Sequence, residues 1–156
     1  MSLLPWKKNP ARAELLAVYT EVDALLAPYS CPASTDCCHF GRTGREPYVH
    51  TVELAEVEHA VASRPLKRGL PLAPEAERRC PMLGDDGRCR VYASRPFGCR
   101  TYFCEKVEGP GKLPRARIGE RARRIADLSA RAFPRDPGPR RFGAAASART
   151  SSKRSG

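Results

Sequence analysis

Seven cysteines punctuate this chain, Cys31, Cys37, Cys38, Cys80, Cys89, Cys99 and Cys104, and theirs is the clearest chemistry in it. Thiolates are soft ligands that select zinc, copper(I) or iron–sulfur clusters over magnesium or calcium. A structural zinc takes four tetrahedral ligands, with sulfur at about 2.3 Å. Seven thiols exceed what one such ion uses and fall one short of two all-cysteine sites. They suffice for one four-cysteine cluster with three left over. An odd number also excludes complete disulfide pairing within the chain. Ligands from residues 31–38 and 80–104 would pin two remote parts of the polypeptide together. Since the unfolded chain has no assembled site, binding there would contribute directly to folding.

The other chemistry-bearing residues are weaker candidates. His39 follows Cys38 and is read as a surface histidine, with metal ligation or a hydrogen bond to a cysteine sulfur as the alternatives. His50 and His59 carry less still. Glu56 and His59 form an E-x-x-H pair of the kind used in di-iron carboxylate sites, but no second pair matches it, so it is assigned to chance. Arg95 and Arg100 stand beside cysteines, where positive charge would lower thiol pKa values and offset a thiolate-bound metal. Solvation, or pairing with Glu105 or Asp85, explains them equally well. Arg88 and Arg90 are assigned to solvent. No G-x-S-x-G, P-loop or G-x-G-x-x-G is present, so no catalytic residue is assigned, and any reaction would fall to the metal.

These residues must be positioned by a mainly α framework with a small β hairpin (α+β): a cysteine-rich metal-binding domain between N- and C-terminal helices. Residues 10–27 predict the first helix, with Asn9 as cap, Pro10 at the first position and Pro28 ending it. Leu15, Leu16, Tyr19, Val22, Leu25 and Leu26 supply one apolar face. Residues 31–46 read as a cysteine-bearing loop, Tyr48–Val52 as a short strand, and Ala55–Ser63 as a helix with Val57 and Val61 inward. Residues 64–79 read as a connecting loop. In CPMLGDDGRCRVY, residues 80–92, Asp86-Gly87 predicts a hairpin that brings Cys80 and Cys89 together. SRPFGCRTYFC, residues 94–104, predicts a turn and a short helix. A second long helix spans Leu113–Phe133, with Ile118, Ala122, Ile125, Leu128 and Phe133 buried. The domain is therefore set at residues 10–133, and residues 134–156 are expected to form a disordered basic tail.

Composition sets the outer bounds. The length, 156 residues, suits one domain with tails, and 41% apolar residues with 7% aromatics allow only a thin core. A metal is a natural support for such a core. The net charge of +11 is concentrated: residues 1–111 carry 15 Lys/Arg against 14 Asp/Glu, and residues 112–156 carry 13 against 3. That C-terminal charge makes salt-sensitive nucleic-acid binding conceivable, but it has few aromatics for base stacking, and a solubilising tail is preferred. MSLLPWKKNP has no long apolar run behind a basic start, and no stretch nears the ~20 apolar residues of a bilayer span. A cytoplasmic protein without membrane contact is expected, in a reducing compartment that keeps thiols free.

The ordered motifs resemble those of the CxxCxxCC, or YkgJ-like, zinc- or iron-chelating proteins. That family shows an N-terminal helix, C-x-x-C-x-x-C-C, a strand and helix, then C-P-x-L, D-G-x-C-x-I/V-Y, R-P-x-x-C-R and a closing F-x-C or similar. Here CPASTDCC (31–38), CPML (80–83), DGRCRVY (86–92), RPFGCR (95–100) and FC (103–104) match in that order, within roughly residues 10–130. One departure stands out: Ser34 replaces the second cysteine of the opening motif. A hydroxyl is a poor ligand at neutral pH, so His39 or solvent fills that position, or it is dispensable. The family also resembles the cysteine-rich segment of flagellin lysine N-methylases, which implies an iron–sulfur cluster. Adjacent Cys37 and Cys38 diverge, which strains a single zinc more than a cluster of several irons. An iron–sulfur cluster is thus preferred to zinc, held by some of the seven cysteines. The functional expectation is a metal-binding protein, with an unidentified protein as partner. The alternatives are an iron–sulfur-dependent protein-modification enzyme or accessory, and a zinc-stabilised nucleic-acid-binding module using the basic C-terminus.

Overall fold

The computed structural model describes residues 5–30, 36–63, 78–102 and 108–146. Its first long helix, α1 (Pro10–Leu26), starts where local chemistry dictates: the Asn9 side chain accepts from the Ala11 N–H at 2.9 Å, and Pro10 occupies the first turn. Leu15, Tyr19, Val22 and Leu26 of the expected stripe are buried, joined by Ala11 and Val18. Two short elements follow, a 3-10 turn at Asp36–Cys38 and the helix α2 (Phe40–Thr43). Gly44 ends α2 in the left-handed region at φ 63°, a conformation glycine adopts without steric cost.

The strand expected at Tyr48–Val52 is shorter, with β1 limited to Tyr48–Val49, because the helix α3 (Thr51–Ser63) begins earlier than expected. Glu53 causes this. It sits at the third helical position and reaches back to the His50 N–H at 2.9 Å, half of a capping box. The short helix α4 (Phe97–Arg100) follows a 3-10 turn at Tyr92–Ser94, and the long helix α5 spans Arg115–Ala132. The fold is mainly α with one two-stranded antiparallel sheet, as the class expectation had it. That sheet does not lie at residues 80–92, where an isolated bridge pairs Leu83 with Cys89 around the Asp86-Gly87 turn.

The sheet instead corrects the expected boundary at residue 134. Strand β2 (Arg140–Arg141) pairs with β1 in the register Tyr48 to Arg141 and Val49 to Arg140, and residues 142–146 are helical. Residues 134–146 therefore fold against the body, because Phe142, only 1% exposed, and Ala146 fill its core. Composition alone hid this, since one well-placed aromatic outweighs the surrounding Pro, Gly and Ala. The rest of the tail, 147–156, most of the 64–79 connection, Cys31, Ser34 and Cys104 lie outside the described residues.

Two apolar clusters result. One joins α1, α3 and α5 through Leu15, Val18, Val22, Val52, Ile125 and Leu128. Buried Ser129 stitches it, accepting from the Val52 N–H at 3.2 Å and donating to the Pro137 carbonyl at 2.7 Å. The other gathers Phe40, Val49, Leu54, Val57, Met82, Val91 and Phe142 around Cys38 and Cys80. No helix among the described residues is long and apolar enough to cross a membrane.

Candidate metal centre

The second cluster holds four of the described thiols, those of Cys37, Cys38, Cys80 and Cys89. Cys37 and Cys38 end the 3-10 turn at Asp36–Cys38, with Cys38 buried and Cys37 half-buried. The Cys80 N–H donates to the Cys38 carbonyl at 2.7 Å, so residues 78–80 run beside the first motif. Cys80 is buried, and its sulfur accepts from the Met82 N–H at 3.4 Å. Cys89 is held across the turn by its bridge to Leu83, and Cys99 by α4. All five are free thiols. Cys31 directly follows Ser30, which pairs antiparallel with Glu108 at the far side of the segment that carries Cys104.

The thiols also act on one another's protonation. The Cys37 thiol donates to the Cys38 sulfur, which with burial and the neighbouring thiol raises the Cys37 pKa strongly; Arg95 opposes this. That donation lowers Cys38, but its own bond to Cys80, burial and the charges of Cys80 and Cys89 prevail, pushing it up to about 12. Burial raises Cys99, reinforced by Cys37, Cys38 and Cys89. Burial raises Cys89 too, against the Val91 N–H and Arg95. Crowded thiols of this kind stay protonated at neutral pH unless a cation compensates them, and a coordinated thiol loses its proton outright. The donor set suits a thiophilic metal in kind and number. Among the described residues, however, no three Cys, His, Asp or Glu side chains are arranged around a single ion position.

The scaffold of this cluster is a pair of buried carboxylates absent from the sequence-based site. Glu53 accepts from the Phe97 N–H at 2.7 Å, the Tyr19 hydroxyl at 3.1 Å and the His50 N–H at 2.9 Å. It thereby fastens the start of α4, and with it Cys99, to α3 and α1. Burial raises its pKa despite these bonds. Glu56 accepts from Arg12 Nε at 2.7 Å, Trp6 Nε1 at 2.8 Å and the Ser94 hydroxyl at 3.0 Å. Burial alone would raise it, but these donors hold it below the ordinary carboxylate range. The signal for both was the three-residue spacing that puts Glu53 and Glu56 on one side of α3, beside inward Val57.

The arginines separate by role. Arg100 is buried and turns toward α1, 2.6 Å from Asp23 and 4.0 Å above the Tyr19 ring, while also donating to the Arg95 and Ala93 carbonyls. Arg95 covers Tyr92 at 3.9 Å, and its charge acts on Cys37 and Cys89. His39 is half-buried at the start of α2. His50 caps α3, its Nδ1 atom buried without a hydrogen-bond partner. His59 lies apart from the described thiols in its bonding, its carbonyl accepting from Ser63.

Residues 30–116 match the family model CxxCxxCC, described as a "Putative zinc- or iron-chelating domain". No curated protein and no solved structure matches the chain.

Proposed function

Starting from a chain that belongs to the CxxCxxCC family, we propose that its clustered cysteines hold one thiolate-bound metal centre, an iron–sulfur cluster in preference to zinc. The observation that carries this reading is that Cys38 and Cys80, with Cys37 and Cys89 packed against them, come from separate stretches of chain into one apolar cluster, whose thiols also act on Cys99. Cys31 and Cys104 complete the proposed donor set, which exceeds what one zinc needs and leaves room for a multi-iron core. The metal supplies compensating charge and a cross-link between segments. The chain's own residues hold the thiols in place, through Glu53 on α4 and Cys38 on residues 78–80. A reducing, cytoplasmic setting fits free thiols.

Purification without oxygen tests the choice of metal. The iron–sulfur reading predicts a brown protein absorbing near about 400 nm, bleached by dithionite. A colourless protein with bound zinc would replace that choice, since a filled d shell gives no such band. Absence of both metals would remove the reading.

A further inference from the structure

A cleft of about 400 Å³ has Cys37 and Cys99 among its lining residues. Three guanidinium groups, Arg45, Arg78 and Arg141, line it against a single carboxylate, Glu46. Glu46 is already engaged, accepting from the Gly143 N–H at 2.7 Å and standing 3.8 Å from Arg78. Neither Arg45 nor Arg141 has a carboxylate within ion-pair distance among the described residues, although Arg141 is hydrogen-bonded to Tyr48 and feels the charge of Glu46. Both are positioned by aromatic walls: Arg45 lies 5.9 Å from the Tyr102 ring centre, and the sheet register sets Arg141 opposite Tyr48. Like charges facing one concavity repel, and an anion between them reverses that cost.

We propose that this cleft binds a small polyanion, carrying two or more carboxylate or phosphate groups, clamped by Arg45, Arg78 and Arg141 against the Cys37–Cys99 face. Guanidinium groups pair with carboxylate or phosphate oxygens in a bidentate fork, which gives orientation as well as attraction. The volume lies within the usual range for small-molecule sites, roughly 300–1,000 Å³. Two tyrosines at the wall add hydroxyl donors and flat contact surface. The site stands on the arginines and not on the metal, although a bound anion would lie beside the centre.

Calorimetric titration of the full chain, purified without oxygen, tests this with pyrophosphate and citrate as probes at about 150 mM salt, where surface attraction is largely screened. The expected result is saturable binding of one equivalent of at least one probe. Preference for pyrophosphate assigns phosphate chemistry, and preference for citrate assigns carboxylates. Arg45→Gln and Arg141→Gln should each weaken binding about tenfold or more, equivalent to 1.4 kcal/mol, while Arg117→Gln on exposed α5 leaves it unchanged. Arg141 belongs to β2, so Arg45→Gln, on an exposed loop, is the variant that preserves the fold. Absence of binding by either probe below about 1 mM, or equal weakening by Arg117→Gln, overturns the proposal. Metal analysis of the same samples separates the two readings. Metal-free protein that still binds the anion refutes only the metal centre, and metal-loaded protein that does not refutes only the cleft.

Discussion

Glu53 and Glu56 stand one turn apart on α3, yet burial and hydrogen bonding move them in opposite directions. Glu56 is held below its ordinary value, so the stability it contributes is complete above that value, near pH 4.5, and is lost as pH falls through the folded one. Glu53 is raised, so between the folded and ordinary values acid favours its buried, protonated form. Glu56→Gln should therefore lower the melting temperature at neutral pH, costing about 2 kcal/mol for weakened bonds to a charged group. It should also flatten the acid limb of a melting-temperature profile between pH 7 and 3; a limb as steep as in the unsubstituted protein would refute this role. Among the thiols, Cys99→Ser and Cys89→Ser should each reduce metal content and thermal stability together. Loss of an outer partner alone weakens metal binding about 10–100-fold, and a lost ligand should cost no less. Full metal occupancy in both variants would refute their assignment as ligands. The family was legible, because the type and order of its cysteines are specific. The carboxylates were not, because a buried Glu looks in sequence like any solvated helix glutamate.

At the scale of elements, the helices with local start signals were the readable ones. Asn9-Pro10 marks α1, and the apolar stripe through Ile125 and Leu128 marks α5, within two residues of where the chain places them. The pairing of β1 with β2 had no such signal, since it joins residue pairs separated by most of the chain and depends on Phe142 finding the core. Phe142→Ala should cost about 3–5 kcal/mol, as for other fully buried aromatics, with a matching fall in denaturant midpoint. A change below about 0.5 kcal/mol would return residues 134–146 to the status of a loose tail. The approach of α4 to β1 is closer still. A Cβ added at Gly98 would stand 2.8 Å from the Pro47 Cβ, so Gly98→Ala must shift either the Pro47 segment or α4, which carries Cys99. Overpacking of this sort costs about 1–3 kcal/mol, and the variant should lose metal as well as stability. Retained stability and metal content would show that the contact gives freely.

Across the whole molecule, the basic C-terminal charge is not all free. Arg131 pairs with Glu14 at 2.6 Å, and Arg124 and Arg121 pair with Glu21 at 2.6 and 3.3 Å, so α5 spends part of its charge on α1. Exposed pairs of this type contribute about 0–1 kcal/mol each. Their larger effect is to remove cations from any nucleic-acid surface. Removing residues 134–156 would also uncover the core around Phe142, so a test of the basic tail should remove only residues 147–156. What unites the molecule is the gathering of sulfur from separate stretches of chain, braced by α3 and sealed by Phe142. X-ray absorption at the iron or zinc edge of anaerobically purified protein tests that most directly. A nearest shell of sulfur at about 2.3 Å is the predicted result. A shell of only nitrogen and oxygen, or protein containing neither metal, would contradict it.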